Sequence, residues 1–196
     1  MVQIDYFFAV MSPFVYLAGN RLEEVAARHG AGIRYIPVNA PQLFPRTGGQ
    51  ALADRHEARK AYRLQEMRRQ AAKAGMPITL QPAWFPVNMA PASYAIISCA
   101  AEGDVGPLVQ GFARAIWAEG RNIAEGEVVA DILSAHGFDP ALADRGMMRA
   151  ADTYMANLEE AVARGVFGVP FYMVGEEGFW GQDRLDDLDL HLAGKL

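Results

Sequence analysis

The apolar positions of this 196-residue chain change their rhythm twice. At the start, "VQIDYFFAV" is a near-continuous run of β-branched and aromatic residues, the pattern of a buried strand. From Phe14 to His29 the spacing becomes helical, with Phe14, Ala18, Leu22, Val25 and His29 recurring on one face. Gly30 and Gly32 stop that helix, and "IRYIPV" follows as a second strand. Two strands joined by a crossover of this length form a βαβ unit and are expected to be parallel.

From Pro41 to about Arg164 strand-like runs are nearly absent and alanine-rich helical patterns take over. Leu64, Met67, Ala71 and Ala74 follow helical spacing, and further helices are expected over Ala90–Glu102, Pro107–Ala118, Glu125–His136 and Ala151–Arg164. Separators such as "EGDVGP", "GRNIAEG" and "HGFDP" carry the turn-forming residues. Strand chemistry then returns in "GVFGVPFYMVG" and "EGFWG", with "EEG" offering a tight turn between them. The final segment, "QDRLDDLDLHLAGKL", predicts a helix with Leu185, Leu188, Leu192 and Leu196 on one face and Asp186, Asp187 and Asp189 near its start. The layout is an α/β fold: residues 1–40 and 165–196 form a sheet domain, βαβ then ββα, and residues 41–164 form an all-helical insertion.

Composition narrows the chemistry. A hydrophobic fraction of 52% supplies a real core. The net charge of −5 argues against nucleic acid, whose phosphates call for clustered Lys and Arg. The N-terminal run has no basic leader and is too short for a membrane span, which points to a cytoplasmic protein. One cysteine, Cys99, excludes an internal disulfide and a CxxC redox pair, and its small-residue helical context reads as a buried structural thiol. His29, His56, His136 and His191 are scattered without metal-ligand spacing, and no phosphate-binding glycine motif is present.

Three motifs carry more. The βαβ…ββα order is the thioredoxin arrangement, and a helical insertion between its halves is the DsbA-like version of it. "DYFFAVMSPFVYLA", "GVFGVP" and "FWGQDRL", in this order and at these separations, resemble the 2-hydroxychromene-2-carboxylate isomerases. These are glutathione-dependent enzymes related to kappa-class glutathione transferases. The resemblance covers essentially the whole chain. It implies that Ser12, at the position of the first DsbA redox cysteine, contacts the glutathione sulfur. It implies a cis Pro170, with the Val169 backbone pairing with the glutathione cysteine. Gly181, Gln182 and Asp183 would take the γ-glutamyl end, a helix start meeting its carboxylate and Asp183 its ammonium. The family more often has asparagine where this chain has Gln182, which leaves the backbone contact but not the side-chain role. Residue chemistry alone keeps a plainer alternative open for each, with Ser12 as a helix cap before Pro13 and Asp183 as a cap of the last helix.

The energetics of such a site are reasonable. A thiol near its reference pKa of about 8.5 needs about 2.7 kcal/mol of preference for the thiolate to drop two units. A helix N-terminus supplies roughly 0.3–1 kcal/mol, and a hydroxyl donated to the charged sulfur about 1.5–3 kcal/mol. Ser12 is therefore expected to stabilise a thiolate rather than attack, since no neighbouring base activates it.

The substrate side rests on a basic stripe, Asp54–Lys73, with seven basic and three acidic residues. It suits an anionic aromatic carboxylate or the solvated face of a helix. Arg55, Lys60 and Tyr62 fall near family ligand positions. Trp84 and Phe85 replace a more polar pair, and form a pocket wall or ordinary core. The family is commonly dimeric. Rival readings are a kappa-like glutathione transferase or peroxidase, and a non-catalytic glutathione-binding module.

Overall fold

In the computed structural model, which describes residues 1–196, four strands form one mixed sheet in the order β2-β1-β3-β4. β1 (Gln3–Phe8) and β2 (Gly32–Pro37) run parallel, in register Gln3 to Gly32 through Phe8 to Pro37. β3 (Phe171–Val174) is antiparallel to β1, with Phe7 opposite Phe171, and β4 (Glu177–Trp180) is antiparallel to β3. The hairpin turn lies at Gly175–Glu176, one residue earlier than "EEG" suggested. Gly175 takes φ 61° at its first central position, where a type II′ turn requires glycine.

Alternation along β1 explains its apolar run. Ile4, Tyr6 and Phe8 face the larger of two apolar clusters, together with Tyr172, and the Tyr6 and Tyr172 rings stack at 5.1 Å. Phe7 points the other way, into a smaller cluster with Ile36, Phe171 and Met173. The larger cluster is closed by α2 (Arg21–His29), α5 (Ala90–Cys99), α6 (Gly106–Trp117), α7 (Gly126–Ala135) and α10 (Leu185–Leu192). The smaller one is covered by α9 (Met147–Ala163) through Leu158 and Ala161. Both faces are covered at the C-terminal half of β1 and along β3, so Tyr6–Phe8 and Phe171–Met173 read as continuous apolar runs.

Between β2 and β3 the chain is helical, as its alanine-rich pattern indicated. Besides the helices named, it holds short α3 (Ala40–Leu43), α4 (Glu57–Ala74), α8 (Leu142–Arg145) and two 3₁₀ turns. His56 opens α4 by accepting the Ala58 N–H. Cys99 is fully buried, and burial pushes its thiol up to about 11.

Three details differ from the periodic reading. The expected helix over residues 14–29 is broken into α1 (Pro13–Tyr16) and α2, because Gly19 takes the left-handed conformation. Ala74 is exposed at the end of α4. Leu196 lies beyond α10 and is exposed, whereas Leu185 and Leu188 are buried. Across the sheet, Asp5 of β1 meets Arg34 of β2 at 2.8 Å and Arg164 after α9 at 2.5 Å, and both arginines also contact Glu160. Burial alone would raise the Asp5 pKa, but its hydrogen bonds to Arg34, Gln3 and Arg164 outweigh it and hold the carboxyl well below its usual range.

Candidate active site

Strand directions bring the three motifs to one end of the sheet. β1 ends at Phe8, and Ser12 follows within four residues. β3 runs opposite to β1, so Val169 and Pro170, which precede it, lie at that same end. β4 runs back toward it, delivering Gly181, Gln182 and Asp183 just after Trp180. A hydrogen bond from Gly181 N–H to Pro170 C=O, 2.9 Å, ties the last two motifs together.

Ser12 sits in extended conformation at the N-cap of α1, but its side chain makes no cap hydrogen bond. Its backbone does the local work: the Ser12 N–H donates to Ala9 C=O at 2.8 Å, and its C=O accepts from Tyr16 at 3.2 Å. The hydroxyl is left free. Pro13 has no N–H, and the amides of Phe14 and Val15 precede the first intrahelical acceptor. α1 is held from behind by Gln110 of α6, which donates to Val15 C=O at 3.1 Å, and by Tyr16 Oη, which donates to Pro77 C=O at 2.6 Å.

The Val169–Pro170 bond is cis. Val169 is half-buried, and its N–H and C=O join none of the backbone hydrogen bonds. That leaves an extended-chain partner position open at the same end of the sheet as Ser12. The glycines around it are enforced by contact. A Cβ on Gly168 would lie 2.4 Å from Trp180 Nε1, and one on Gly178 2.7 Å from the Phe171 ring. Gly181 has φ 111°, and a Cβ there would meet the Asp183 carboxylate at 2.5 Å.

Gln182–Arg184 form a 3₁₀ turn leading into α10. Gln182 is buried, and Asp183 is half exposed with Arg184 as its ion-pair partner at 3.0 Å. Asp183 does not cap: neither the turn nor α10 has a side-chain cap bond. One positioning residue was not apparent in the sequence. Arg21, at the start of α2, donates to Gln182 C=O at 2.9 Å and to Ala18 C=O at 3.1 Å. It links the turn after Ser12 to the turn after β4 across 161 residues, and no local motif signals such a contact.

A family model for the DsbA-like thioredoxin domain matches residues 3–193. The chain is 31% identical to a 2-hydroxychromene-2-carboxylate isomerase of Sphingobium xenophagum, over 96% of this chain and 97% of that one. It therefore belongs to the 2-hydroxychromene-2-carboxylate isomerase family. A second isomerase of that name, from Pseudomonas putida, is 28% identical over 93% of this chain and 90% of its own. A solved 2-hydroxychromene-2-carboxylate isomerase superposes with TM-score 0.84 at 26% identity, covering 98% of this chain and 95% of that chain. The cytosolic disulfide reductase DsbM of Pseudomonas aeruginosa, solved with GSH, shares the fold at TM-score 0.69 and 18% identity, over 99% and 98% of the two chains.

Of the substrate-side positions of this isomerase-family chain, Arg55 and Phe85 both lie near Arg63. Arg55 donates to Gln50 C=O at 3.0 Å, and burial, then Arg59, lowers its pKa. Lys60 pairs with Glu57 at 2.8 Å, and Tyr62 is exposed beneath Arg69. Trp84 is exposed, whereas Phe85 packs on Trp117 at 5.1 Å and on the Arg63 guanidinium at 5.4 Å. Within the stripe Tyr62 is exposed and Lys60 half-buried, and Phe85, beyond the stripe, packs at the edge of the core. No group of three or more His, Cys, Asp or Glu could hold a metal ion, and no helix is long and apolar enough to cross a membrane.

Proposed function

We propose that the protein is a glutathione-dependent cis–trans isomerase of 2-hydroxychromene-2-carboxylate or a related aromatic-derived carboxylate. The observation that carries this reading is the convergence, at one sheet end, of a free serine hydroxyl, a free extended backbone position and a glycine-shaped turn. Each fits one part of glutathione. The Ser12 hydroxyl suits the sulfur, the Val169 N–H and C=O suit the central peptide, and the Gly181–Asp183 turn suits the γ-glutamyl end, with Asp183 opposite its ammonium.

2-Hydroxychromene-2-carboxylate is a cyclic hemiketal whose open form is a conjugated keto acid with a cis double bond. When bound, glutathione would supply a thiolate able to add reversibly to that double bond, the chemistry that permits rotation about it. The chain's own contribution is electrostatic. Ser12 would donate a hydrogen bond from its hydroxyl to the negative sulfur, next to the unfilled amides at the start of α1. The protein has no CxxC and its one cysteine is fully buried, so it offers no redox thiol. Glutathione dependence is consistent with a cytoplasmic setting, and family resemblance with a homodimer.

Calorimetric titration with reduced glutathione tests the reading. The wild type should bind, and Asp183→Ala should bind about tenfold more weakly through loss of one charge-assisted contact. Equal affinity in the two proteins would remove Asp183 from the site, and no binding by the wild type would refute the proposal.

A further inference from the structure

Arg63 of α4 is a charged side chain for which the protein supplies no counter-ion. Its guanidinium is half-buried, 5.4 Å from the Phe85 ring and 5.9 Å from the Trp117 ring. It makes no hydrogen bond and no ion pair. The carboxylates of the same helix are engaged elsewhere, Glu57 with Lys60 at 2.8 Å and Glu66 with Arg69 at 3.5 Å. Arg55, just before α4, is placed alike. It is half-buried over the Phe44 ring at 6.0 Å, and only its Nε is used, donating to Gln50 C=O. Burial, then Arg55, lowers the Arg63 pKa to about 10, so the group keeps its charge near neutral pH.

Stacking explains where Arg63 sits but leaves its hydrogen-bonding capacity unused. A guanidinium over an aromatic face directs its N–H groups sideways, in its own plane. Neither the nitrogens of Arg63 nor the terminal nitrogens of Arg55 are among the enclosed polar atoms that lack a partner, so all of them are reached from solvent. Partly desolvated cations set side by side without an anion are unfavourable. Arg59, one turn before Arg63, adds a third, itself bonded to Gln50 Oε1 at 3.1 Å. The result is a socket for negative charge, two sets of free donors flanked by Phe44 and Phe85. It stands close along the chain to the site already described, for Pro86 and Val87, directly after Phe85, share a cavity with Met11, the neighbour of Ser12.

We propose that Arg63 and Arg55 form an anion site that takes the carboxylate of a small ligand, and that Arg63 is the residue by which the protein selects an acid over its uncharged counterpart. The inference deepens the proposed function and rests on it for the source of the carboxylate, since the aromatic acid and the glycine end of glutathione each carry one. Planar recognition of two oxygens is what an arginine fork offers and a point charge does not. The sequence pattern does not single out Arg63 among the seven basic residues of the stripe. Its placement against two rings, with no partner, does.

Two acid–amide pairs, titrated calorimetrically into the full chain, test it: 2-naphthoate against 2-naphthamide, and reduced glutathione against its glycine amide. In the wild type the acid of at least one pair should bind about tenfold more tightly than its amide. Arg63→Met keeps an apolar stem against Phe85 and Trp117 and removes the charge. It should lose that preference with its amide affinity unchanged, which also reports an intact fold. Arg63→Lys should recover only part of the preference. Loss in the naphthoate pair identifies the aromatic acid as the occupant, and loss in the glutathione pair identifies glutathione; either supports the site. An acid preference kept by Arg63→Met in both pairs, or absent from the wild type in both, would overturn the inference while glutathione binding, and the proposed function with it, stands. If the wild type binds neither form of glutathione but Arg63→Met abolishes the naphthoate preference, the anion site stands and the glutathione reading falls. Because Arg63→Met relieves an unpaired charge, it should melt at or above the wild-type temperature. A Tm lowered by several degrees with the acid preference kept would make Arg63 a packing residue and nothing more.

Discussion

Replacing Ser12 with alanine separates a helix cap from a thiolate ligand, because the two roles predict opposite outcomes. Loss of a working N-cap costs about 1 kcal/mol, which in a chain of this size lowers Tm by about 2–4 °C. The Ser12 side chain, however, makes no cap bond, so Ser12→Ala should melt within about 1 °C of wild type. The effect on bound glutathione should be larger. α1 has only four residues, so its dipole contribution sits at the low end, about 0.3 kcal/mol. Most of the roughly 2.7 kcal/mol needed for a two-unit drop in thiol pKa must then come from direct hydrogen bonding. A hydroxyl donated to a charged acceptor supplies about 1.5–3 kcal/mol. Ser12→Ala should therefore raise the pKa of bound glutathione from about 6.5 by about one to two units, and turnover at pH 7 should fall about 3- to 25-fold with the thiolate fraction. The ultraviolet absorbance of the thiolate, titrated against pH in both proteins, measures the shift. An unchanged thiol pKa, or a Tm lowered by several degrees, would refute this reasoning.

Two further outcomes follow from contacts around the site. Gly168→Ala places a Cβ 2.4 Å from Trp180 Nε1; displacing that ring should cost about 1–3 kcal/mol and, because Trp180 leads into Gly181, weaken glutathione binding as well. Calorimetric affinity and Tm measured together would show both losses, whereas wild-type values would mean that the ring yields freely. Asp5→Asn should cost about 2 kcal/mol at pH 7 by weakening the links to Arg34 and Arg164. The folded-state pKa of Asp5 is depressed, so its contribution is present above the unfolded value of about 3.9 and is lost as pH falls through the lower folded value. The Tm gap between wild type and Asp5→Asn should hold from pH 5 to 8 and close below about pH 4; a gap that widens in acid would contradict the assignment.

Much of the architecture was legible because burial on both sheet faces leaves an apolar signature. β1 and β2 stand out for that reason, and Gly30 ends α2 in the left-handed conformation its position suggested. The break between α1 and α2 was not legible, since Gly19 fits helical spacing and only its φ of 59° shows the interruption. Leu196 continues the leucine rhythm past the end of α10, where no core remains to receive it. At the site, the motifs named Ser12, Val169–Pro170 and Gly181–Asp183, but their meeting depends on strand order and direction. Arg21, whose bond to Gln182 spans the chain, depends on tertiary placement in the same way. The Asp54–Lys73 stripe shows the converse: a strong compositional signal, of which Lys60 is tied up with Glu57 and Tyr62 faces solvent.

The central claim is that glutathione acts here as a recycled cofactor, and one measurement addresses it directly. Conversion of 2-hydroxychromene-2-carboxylate to its open trans isomer is followed chromatographically with and without reduced glutathione, and free thiol is quantified at the start and end. Catalysis that requires glutathione and leaves its amount unchanged over many turnovers is the predicted result. Turnover without glutathione, or one thiol lost per product formed, would contradict the account.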